Sequence, residues 1–278
     1  MANKRYVDAI KTEANAYTDA SVRKAAPRNL LDNSDFRNPV NQRGRGTYKS
    51  AWYMTIDRWY LASRSSDSSI TATVILTDGG LKLIPSSLGL CSLLQRLPAN
   101  ALRSGMNYTL VAKKADGGYL FGSIEDDVSS YGFWQLDFTS DTEVTLEWAA
   151  LYEGEYTAET MPEYQPKGYG AELAECQMYY YKVPSAATIS YNGYIFSSTV
   201  CRVTIPLPVP MRVKPTLSIA SLSNINMYSG VSGNSISSIT IGDVDSNALS
   251  LICTGSYSSY GIPVVLRFNT TVELSADL

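Results

Sequence analysis

The chain has 278 residues and a mass of 30.4 kDa, which is enough for one large domain or two small ones. Its 45% of hydrophobic and 18% of charged residues argue against a disordered chain, and a net charge of −3 argues against a nucleic-acid-binding protein. The sequence contains no histidine, which excludes His-based catalytic triads and His metal ligands but leaves carboxylate-pair chemistry available.

Residues 1–27 are predicted to form an N-terminal helix that ends at Pro27, because proline pushes the preceding residue out of the helical region. Small or apolar side chains recur there at alternating spacings of three and four residues, as in a coiled-coil seam, at Val7, Ile10, Ala14, Tyr17 and Ser21. This seam favours self-association through the helix. The alternative is an amphipathic helix on the surface of its own domain.

Residues 28–165 show short β-type runs separated by turn signals. The runs at 71–76 and 81–84 flank an Asp-Gly-Gly turn and predict a β-hairpin. Strands that recur every 8–12 residues or so, with few helices between them, predict an antiparallel β-sandwich.

Within this region, the segment TIDRW at residues 55–59 is predicted to be a strand. Side chains alternate along a strand, so Asp57 and Arg58 are expected to point to opposite faces and need not pair. Trp59 is expected to belong to the core, with ligand contact as the alternative.

Residues 166–182 break the β pattern and predict a short connecting helix. Leu173, Cys176 and Tyr180 stand at i, i+3 and i+7, which places them on one stripe of a helix. We expect these three residues to contribute to contacts within a trimer.

Residues 183–278 return to β-type runs and predict a second β-sandwich. The alternating segment at 235–241 is typical of a strand with one buried face. Between Pro215 and Leu266 the only charged residues are Asp243 and Asp245. Surfaces so poor in charge risk edge-to-edge aggregation, so their burial between copies of the chain is a second argument for self-association.

The four cysteines include no CxxC pair, and we expect free thiols and no zinc site. Near the N-terminus charged residues interrupt any apolar run, so no signal peptide is predicted, and no apolar stretch is long enough for membrane insertion. We therefore expect synthesis in a cytoplasm.

Several segments occur in an order that is familiar from one class of proteins. In chain order, these segments are residues 29–44, 55–59, 92–114, 144–154, 171–182 and 205–216. The first two resemble the opening of a module common in tail fibres and receptor-binding proteins of tailed bacteriophages and prophages. The middle two resemble strands of a galactose-binding-like, carbohydrate-binding jelly roll, and the last two resemble a fibre-tip β-sandwich. Met178 stands where that family often has an arginine.

This resemblance implies a mainly β homotrimer with four parts: a trimerisation helix (1–27), a jelly roll (28–165), a linker helix (166–182) and a receptor-binding tip (183–278). It implies a virion protein, made in the host bacterial cytoplasm, whose N-terminus joins a phage tail or baseplate protein. Its expected partner is a bacterial cell-surface polysaccharide, bound by multivalent adhesion.

Sugar binding needs aromatic faces beside amides, carboxylates or other fixed polar groups. In the jelly roll the candidates flank an acidic run and are Tyr119, Tyr131 and Trp134. In the tip they stand in Ser/Gly/Asn-rich segments and are Tyr191, Asn192, Tyr194, Tyr257 and Tyr260. The segment with Tyr191 is expected to precede a strand at 195–200. The alternative for all of them is aromatic packing within strands, turns or a trimer.

Two other functional classes remain open at this stage. A polysaccharide-cleaving enzyme would need a carboxylate pair, drawn from Glu125, Asp126, Asp127, Asp137 or Glu147. The chain lacks the long repeat array of a depolymerase, so we assign no catalytic residue. A purely structural fibre spacer is the other alternative.

A structural calcium ion is the one cofactor that the sequence leaves open. Asp32, Asn33 and Asp35 supply oxygen ligands of the calcium type, but without the spacing of an EF-hand loop. Asx-rich turns explain the same residues, so no metal site and no cofactor are assigned.

Overall fold

The computed structural model describes residues 27–49, 53–64, 72–85, 90–186, 188–229 and 234–277, and within them the fold is mainly β. The predicted N-terminal helix, with Val7, Ile10, Ala14 and Tyr17, lies outside the described residues. No helix in the described ranges is both long and apolar enough to span a bilayer.

The N-terminal β unit contains two antiparallel sheets. The first has six strands in the spatial order β1, β4, β5, β11, β7, β8. These strands are β1 (Thr47–Lys49), β4 (Thr73–Thr77), β5 (Gly80–Ile84), β7 (Tyr108–Lys114), β8 (Tyr119–Phe121) and β11 (Val144–Glu153). The second has five strands in the order β2, β3, β6, β10, β9. These are β2 (Tyr53–Met54), β3 (Tyr60–Arg64), β6 (Leu90–Pro98), β9 (Ser123–Asp127) and β10 (Phe133–Ser140), with helix α1 (Val128–Tyr131) before β10.

The predicted hairpin is confirmed as β4 and β5, which pair in register across a turn at Asp78 and Gly79. Gly80 follows the turn with φ of +125°, a conformation that favours glycine. A Cβ there would lie 2.1 Å from the carbonyl oxygen of Leu146 on β11. The glycine therefore lets the hairpin approach the next strand of the sheet.

The segment Thr55–Trp59 is a buried turn, so the prediction of a strand was wrong. The backbone N–H of Thr55 donates to the carbonyl of Trp59 at 2.8 Å, and Arg58 has φ of +72°. Both Asp57 and Arg58 are buried, because the turn lies within the protein instead of alternating between two faces.

Trp59 is fully buried, as expected of a core residue. Its ring packs edge-on against Phe36 at 5.1 Å and lies 6.2 Å from Phe138. The indole N–H donates to the carbonyl of Asn33 at 2.8 Å, which satisfies the one polar group of the side chain. These aromatics form the centre of the core between the two sheets.

The connecting helix α2 spans Tyr169–Gln177 and is shorter than the predicted 166–182. Tyr180–Val183 forms strand β12 instead, because it pairs with β20 (Val272–Ser275) near the other end of the chain. Cys176 and Tyr180 are buried within this same chain, whereas Leu173 is half-buried. The prediction that all three share a trimer-facing stripe is therefore corrected for Cys176 and Tyr180, whose side chains are not accessible to a second copy.

The C-terminal β unit contains a three-stranded and a six-stranded sheet. The smaller has the order β12, β20, β15 (Thr216–Ile219). The larger has the order β16, β19, β13, β14, β18, β17. Its strands are β13 (Tyr191–Ile195), β14 (Val200–Pro206), β16 (Ile225–Ser229), β17 (Ser235–Val244), β18 (Ala248–Ser256) and β19 (Pro263–Phe268), and a 3-10 turn (Leu222–Asn224) precedes β16.

A second core lies between these two sheets and is mostly aliphatic. The predicted alternation along 235–241 is confirmed in β17, where Ile236, Ile239 and Ile241 pack against this core. The serines and threonine between them are exposed. Ile236 and Ile239 are three residues apart, and a register shift between Ile236 and Ser238 keeps both on the core side of the strand.

The two β units meet at a junction made of charged and aromatic side chains. Arg43 binds Asp57 at 2.7 Å and Asp277 at 3.1 Å, and its guanidinium lies 3.7 Å from the ring centroid of Tyr180. Arg58 is stacked over Tyr179 at 3.4 Å. Tyr179 and Tyr180 follow α2 after Met178, so this short segment is packed between the units and does not act as a free linker.

Candidate functional site

The predicted residues Tyr191, Asn192 and Tyr194 lie within strand β13 and not before a strand at 195–200. Side chains alternate along β13, so Tyr191 points inward while Asn192 and Tyr194 point outward. The Tyr191 hydroxyl donates to the carbonyl of Pro184 at 2.6 Å. The expectation of glycan contact is therefore corrected for Tyr191, which is a core residue, and stays open for Asn192 and Tyr194.

The two tyrosines of the predicted C-terminal loop differ in the same way. Tyr257 is 4% exposed and its hydroxyl donates to the carbonyl of Cys253 at 2.9 Å, so its predicted role as a glycan contact is corrected. Tyr260 is 77% exposed in the loop between β18 and β19. This loop lies beside the end of β13, since the N–H of Ile195 donates to the carbonyl of Ile262 at 2.9 Å.

Exposed aromatic side chains gather on the outer face of the six-stranded sheet of the C-terminal unit. Directly opposite residues of neighbouring strands share a face, and the register pairs Tyr194 with Arg202, and both Asn192 and Tyr228 with Val265. Phe196 follows β13, with its ring centroid 6.3 Å from that of Tyr194. We call this surface the aromatic face, defined by Asn192, Tyr194, Phe196, Arg202 and Tyr228.

Two arginines lie against the rings of the aromatic face. The Arg202 guanidinium is 5.1 Å from the ring centroid of Phe196 and contacts the exposed carboxylate of Asp243 at 3.8 Å. Arg267 lies 4.7 Å from the ring of Tyr228 and donates to the Ser190 hydroxyl at 3.0 Å. Flat rings therefore stand beside amide and guanidinium donors, the combination that a sugar ring and its hydroxyls require.

Gly193 fixes the spacing of the strands beneath this face. A Cβ at Gly193 would lie 2.2 Å from the carbonyl oxygen of Arg202 and 2.7 Å from a methyl of Val203. Only glycine therefore permits the close approach of β13 to β14 that sets Tyr194 beside Arg202. The sequence shows the glycine between Asn192 and Tyr194 but not the neighbouring strand that requires it.

The aromatic candidates of the N-terminal unit do not form one site. Tyr119 lies on β8 of the six-stranded sheet, with its ring 6.1 Å from Trp148 and under the Lys113 ammonium at 4.2 Å. Trp134 lies on β10 of the other sheet and packs partly against the core. The side chain of Tyr131 lies outside the described residues. Tyr119 and Trp134 therefore do not share one site, and glycan contact by each of them stays a prediction.

Trp134 lines a cleft of about 500 Å³ that sequence analysis missed. The loop between β6 and β7 forms one wall, and Asp126 and Val128 contribute to the other. The indole N–H of Trp134 donates to the carbonyl of Ala99 at 3.2 Å. At the rim Arg103 pairs with Glu153. We call this the loop cleft. No motif marks its loop, and only its Gly and Ser residues signal a turn.

The oxygen atoms considered for calcium are engaged by groups of the protein itself. The Asp32 carboxylate pairs with Arg58 at 3.1 Å, and that of Asp35 with Arg37 at 3.3 Å. The Asn33 side-chain oxygen accepts the backbone N–H of Val40 at 2.7 Å. Across the described ranges, no group of three or more His, Cys, Asp or Glu residues is placed to hold a metal ion.

The carboxylates considered for catalysis are divided between faces. Glu125 and Asp127 alternate with Asp126 along β9, so Asp126 points to the opposite face. Asp126 lines the loop cleft, whereas Glu125 accepts a hydrogen bond from Gln135 at 3.2 Å. Asp137 is buried on β10 and accepts a hydrogen bond from the Thr139 hydroxyl.

Two carboxylates with shifted pKa values lie in the N-terminal unit near the junction. Burial raises the pKa of Asp57, although the nearby Arg43 and hydrogen bonds from Gln42 act in the opposite direction. Burial also raises the pKa of Glu172, which accepts the N–H of Asn33 at 2.5 Å through Oε2. Its Oε1 has no hydrogen-bond partner within the described part of the chain. Asp57 holds the turn at residues 55–59 against Gln42 and Arg43, whereas Glu172 joins α2 to the backbone of Asn33.

No protein-family model, curated protein or solved structure matches this chain. A function must therefore be inferred from the surfaces of the molecule. The aromatic face and the loop cleft both place aromatic rings beside polar groups.

Proposed function

We propose that this protein is a tail-fibre or receptor-binding protein of a tailed bacteriophage or prophage, which attaches the virion to a bacterial surface glycan. The observation that carries the proposal is the aromatic face of the C-terminal unit. Tyr194, Phe196 and Tyr228 are each about half exposed at the outer face of the same sheet, where they form a group instead of single exposed rings.

The chemistry of the aromatic face suits a saccharide. The rings of Tyr194 and Phe196 offer flat apolar surfaces for the C–H face of a pyranose. The exposed Asn192 amide donates and accepts, and the Arg202 guanidinium donates, to sugar hydroxyls on either side. The loose contact of Arg202 with Asp243 leaves guanidinium N–H groups for such bonds.

The flatness of the face favours multivalent adhesion. A flat surface buries little of each sugar residue, so a single contact is weak. Three linked copies would raise the avidity by about 10² to 10⁴ when the geometry lets them bind together. The scarcity of charge between Pro215 and Leu266 supports the homotrimer, and we assign trimerisation to residues 1–27, whose N-terminus would join the phage tail or baseplate.

The loop cleft is the second surface on which a saccharide would fit. Its volume of about 500 Å³ is within the range of small-ligand sites. Trp134 supplies an apolar wall and Asp126 a hydrogen-bond acceptor. In the proposed jelly roll this cleft would hold a branch or terminal sugar of the same polysaccharide.

The proposal is tested by adsorption of the purified full chain to host cells. Tyr194→Ala is expected to weaken binding about tenfold, equivalent to about 1.4 kcal/mol, because it removes one platform of the aromatic face. Tyr169→Ala is the matched control, since Tyr169 is 48% exposed on α2 and Tyr194 is 47% exposed on β13. Equal adsorption of Tyr194→Ala and the wild-type chain would contradict a role for this face.

A further inference from the structure

Cys201 and Cys253 stand directly opposite each other on neighbouring strands of the C-terminal unit. The register of β14 and β18 pairs them, and both side chains are fully buried in the same core. Both are free thiols. Cys91 lies opposite Ser63 and Ser140 on β6, and Cys176 lies in α2, so neither has a cysteine across from it.

The geometry of this pair suits a covalent cross-link. Directly opposite residues of antiparallel strands have Cβ atoms about 4.5–5.5 Å apart, and a disulfide requires about 3.5–4.5 Å, so a small movement of the strands is enough. The two buried thiols influence each other electrostatically, which agrees with their placement side by side in the core. The Cys201 thiol also reaches the carbonyl of Arg202 at 4.0 Å.

We propose that Cys201 and Cys253 form a redox-sensitive pair that closes as an intrachain disulfide in oxidising surroundings. The oxidant is a low-molecular-weight disulfide. The thiolate of one cysteine attacks it and releases one small thiol, and the second cysteine then displaces the other from the mixed disulfide. In total the protein loses two protons and two electrons, and one small disulfide becomes two thiols.

Either cysteine can act as the first nucleophile in this exchange, because each stands directly opposite the other. Because both thiols are fully buried, attack requires opening of the sheet, and closure is slow in the native state.

The cross-link would constrain the strands that carry the aromatic face. Arg202 follows Cys201 on the strand, and its cross-strand partner is Ile252, which precedes Cys253. A disulfide would fix the spacing of these two strands beneath the face. It would also close the loop that contains β15, β16 and β17, which restricts the unfolded chain. This inference does not depend on glycan binding.

The test is a redox titration of the purified full chain. The protein is equilibrated with oxidised or reduced glutathione in mild denaturant, which allows the sheet to open, and is then alkylated and digested for mass spectrometry. We expect a peptide pair linked through Cys201 and Cys253, lighter by two hydrogen atoms, and a thermal midpoint several degrees above that of the reduced chain.

Matched variants separate this pair from the other thiols. Cys91→Ser is expected to keep the cross-link and the shift in thermal midpoint, whereas Cys201→Ala and Cys253→Ala are expected to lose both. If either of these two variants fails to fold, the disulfide mapped by mass spectrometry in the wild-type chain still tests the proposal. Complete alkylation of both cysteines after oxidation, or glutathione adducts without the linked peptide, would overturn the proposal.

Discussion

In the N-terminal unit Arg58 is fully buried beside Asp32 and Tyr179, whereas in the C-terminal unit Arg202 lies at the surface above Phe196. Both arginines contact an aromatic ring and a carboxylate, but only the first is removed from water. Its guanidinium also donates to the carbonyl of Arg96 at 2.7 Å. The same contacts therefore fix a turn in one unit and leave an accessible surface in the other.

The contrast extends to where the two units place charges and aromatic rings. The N-terminal unit has several buried charges near its junction with α2. The C-terminal unit buries Tyr191, Tyr257 and Phe268 in its core but leaves the rings of the aromatic face exposed. Buried charges specify one arrangement because each needs its partner, whereas exposed rings on a charge-poor sheet are free to meet another molecule.

Removal of the Arg58 side chain is expected to have the largest effect on stability. Arg58→Ala leaves the Asp32 carboxylate without its closest cation, and we expect a loss of about 3–5 kcal/mol in the free energy of unfolding, measured by denaturant titration. Arg103→Ala is the control, because its side chain is 71% exposed and surface ion pairs contribute about 0–1 kcal/mol. Equal losses in both variants would remove the contrast between buried and exposed arginines.

A substitution at Gly193 tests the close approach of strands beneath the aromatic face. Gly193→Ala introduces a Cβ 2.2 Å from the carbonyl oxygen of Arg202, so the strands must separate. We expect a loss of about 1–3 kcal/mol, measured by thermal unfolding. Gly46→Ala is the matched control, since no atom lies within 4 Å of its added Cβ. A Gly193→Ala chain as stable as the Gly46→Ala control would contradict the assigned spacing.

The buried carboxylate of Glu172 predicts a pH dependence. Burial raises its pKa above the ordinary value of 4.5, so between these two pKa values the folded chain holds a proton that the unfolded chain has released. The free energy of unfolding is therefore expected to decrease as pH rises through this window, by at most about 1.4 kcal/mol per pH unit. Denaturant titrations across the window measure this slope. Glu172→Gln is expected to reduce it, and an unchanged slope would contradict the assignment.

The tyrosines of the C-terminal loop give the smallest expected difference. Tyr257→Phe removes the hydrogen bond to the carbonyl of Cys253, which we expect to cost about 1 kcal/mol in thermal unfolding. Tyr260→Phe is expected to change stability by less than about 0.5 kcal/mol, because Tyr260 is 77% exposed. A larger loss for Tyr260→Phe would reverse the assignment of inner and outer tyrosines.

Local patterns in the sequence were enough to find several strands. The Asp-Gly-Gly turn identified the hairpin of β4 and β5, and alternation identified β17. Both signals depend on residues that are close in the sequence. The mainly β architecture could therefore be predicted from composition and short-range periodicity.

The errors lie where distant partners decide the structure. The turn that contains Arg58 is fixed by Asp32, Arg96 and Tyr179, which are far away in the sequence. The helix α2 ends early because Tyr180–Val183 pairs with Val272–Ser275. Nothing in the local sequence shows these pairings, and a Ser/Gly loop does not reveal that Tyr257 is buried while Tyr260 is exposed.

The central claim is that the chain binds a bacterial surface glycan without cleaving it. Calorimetric titration of purified surface polysaccharide into the full chain tests this most directly, with an assay for new reducing ends on the same samples. We predict saturable binding that is weakened by Tyr194→Ala but not by Tyr169→Ala, and no release of reducing ends. Steady release of reducing ends, or binding unaffected by Tyr194→Ala, would contradict the account.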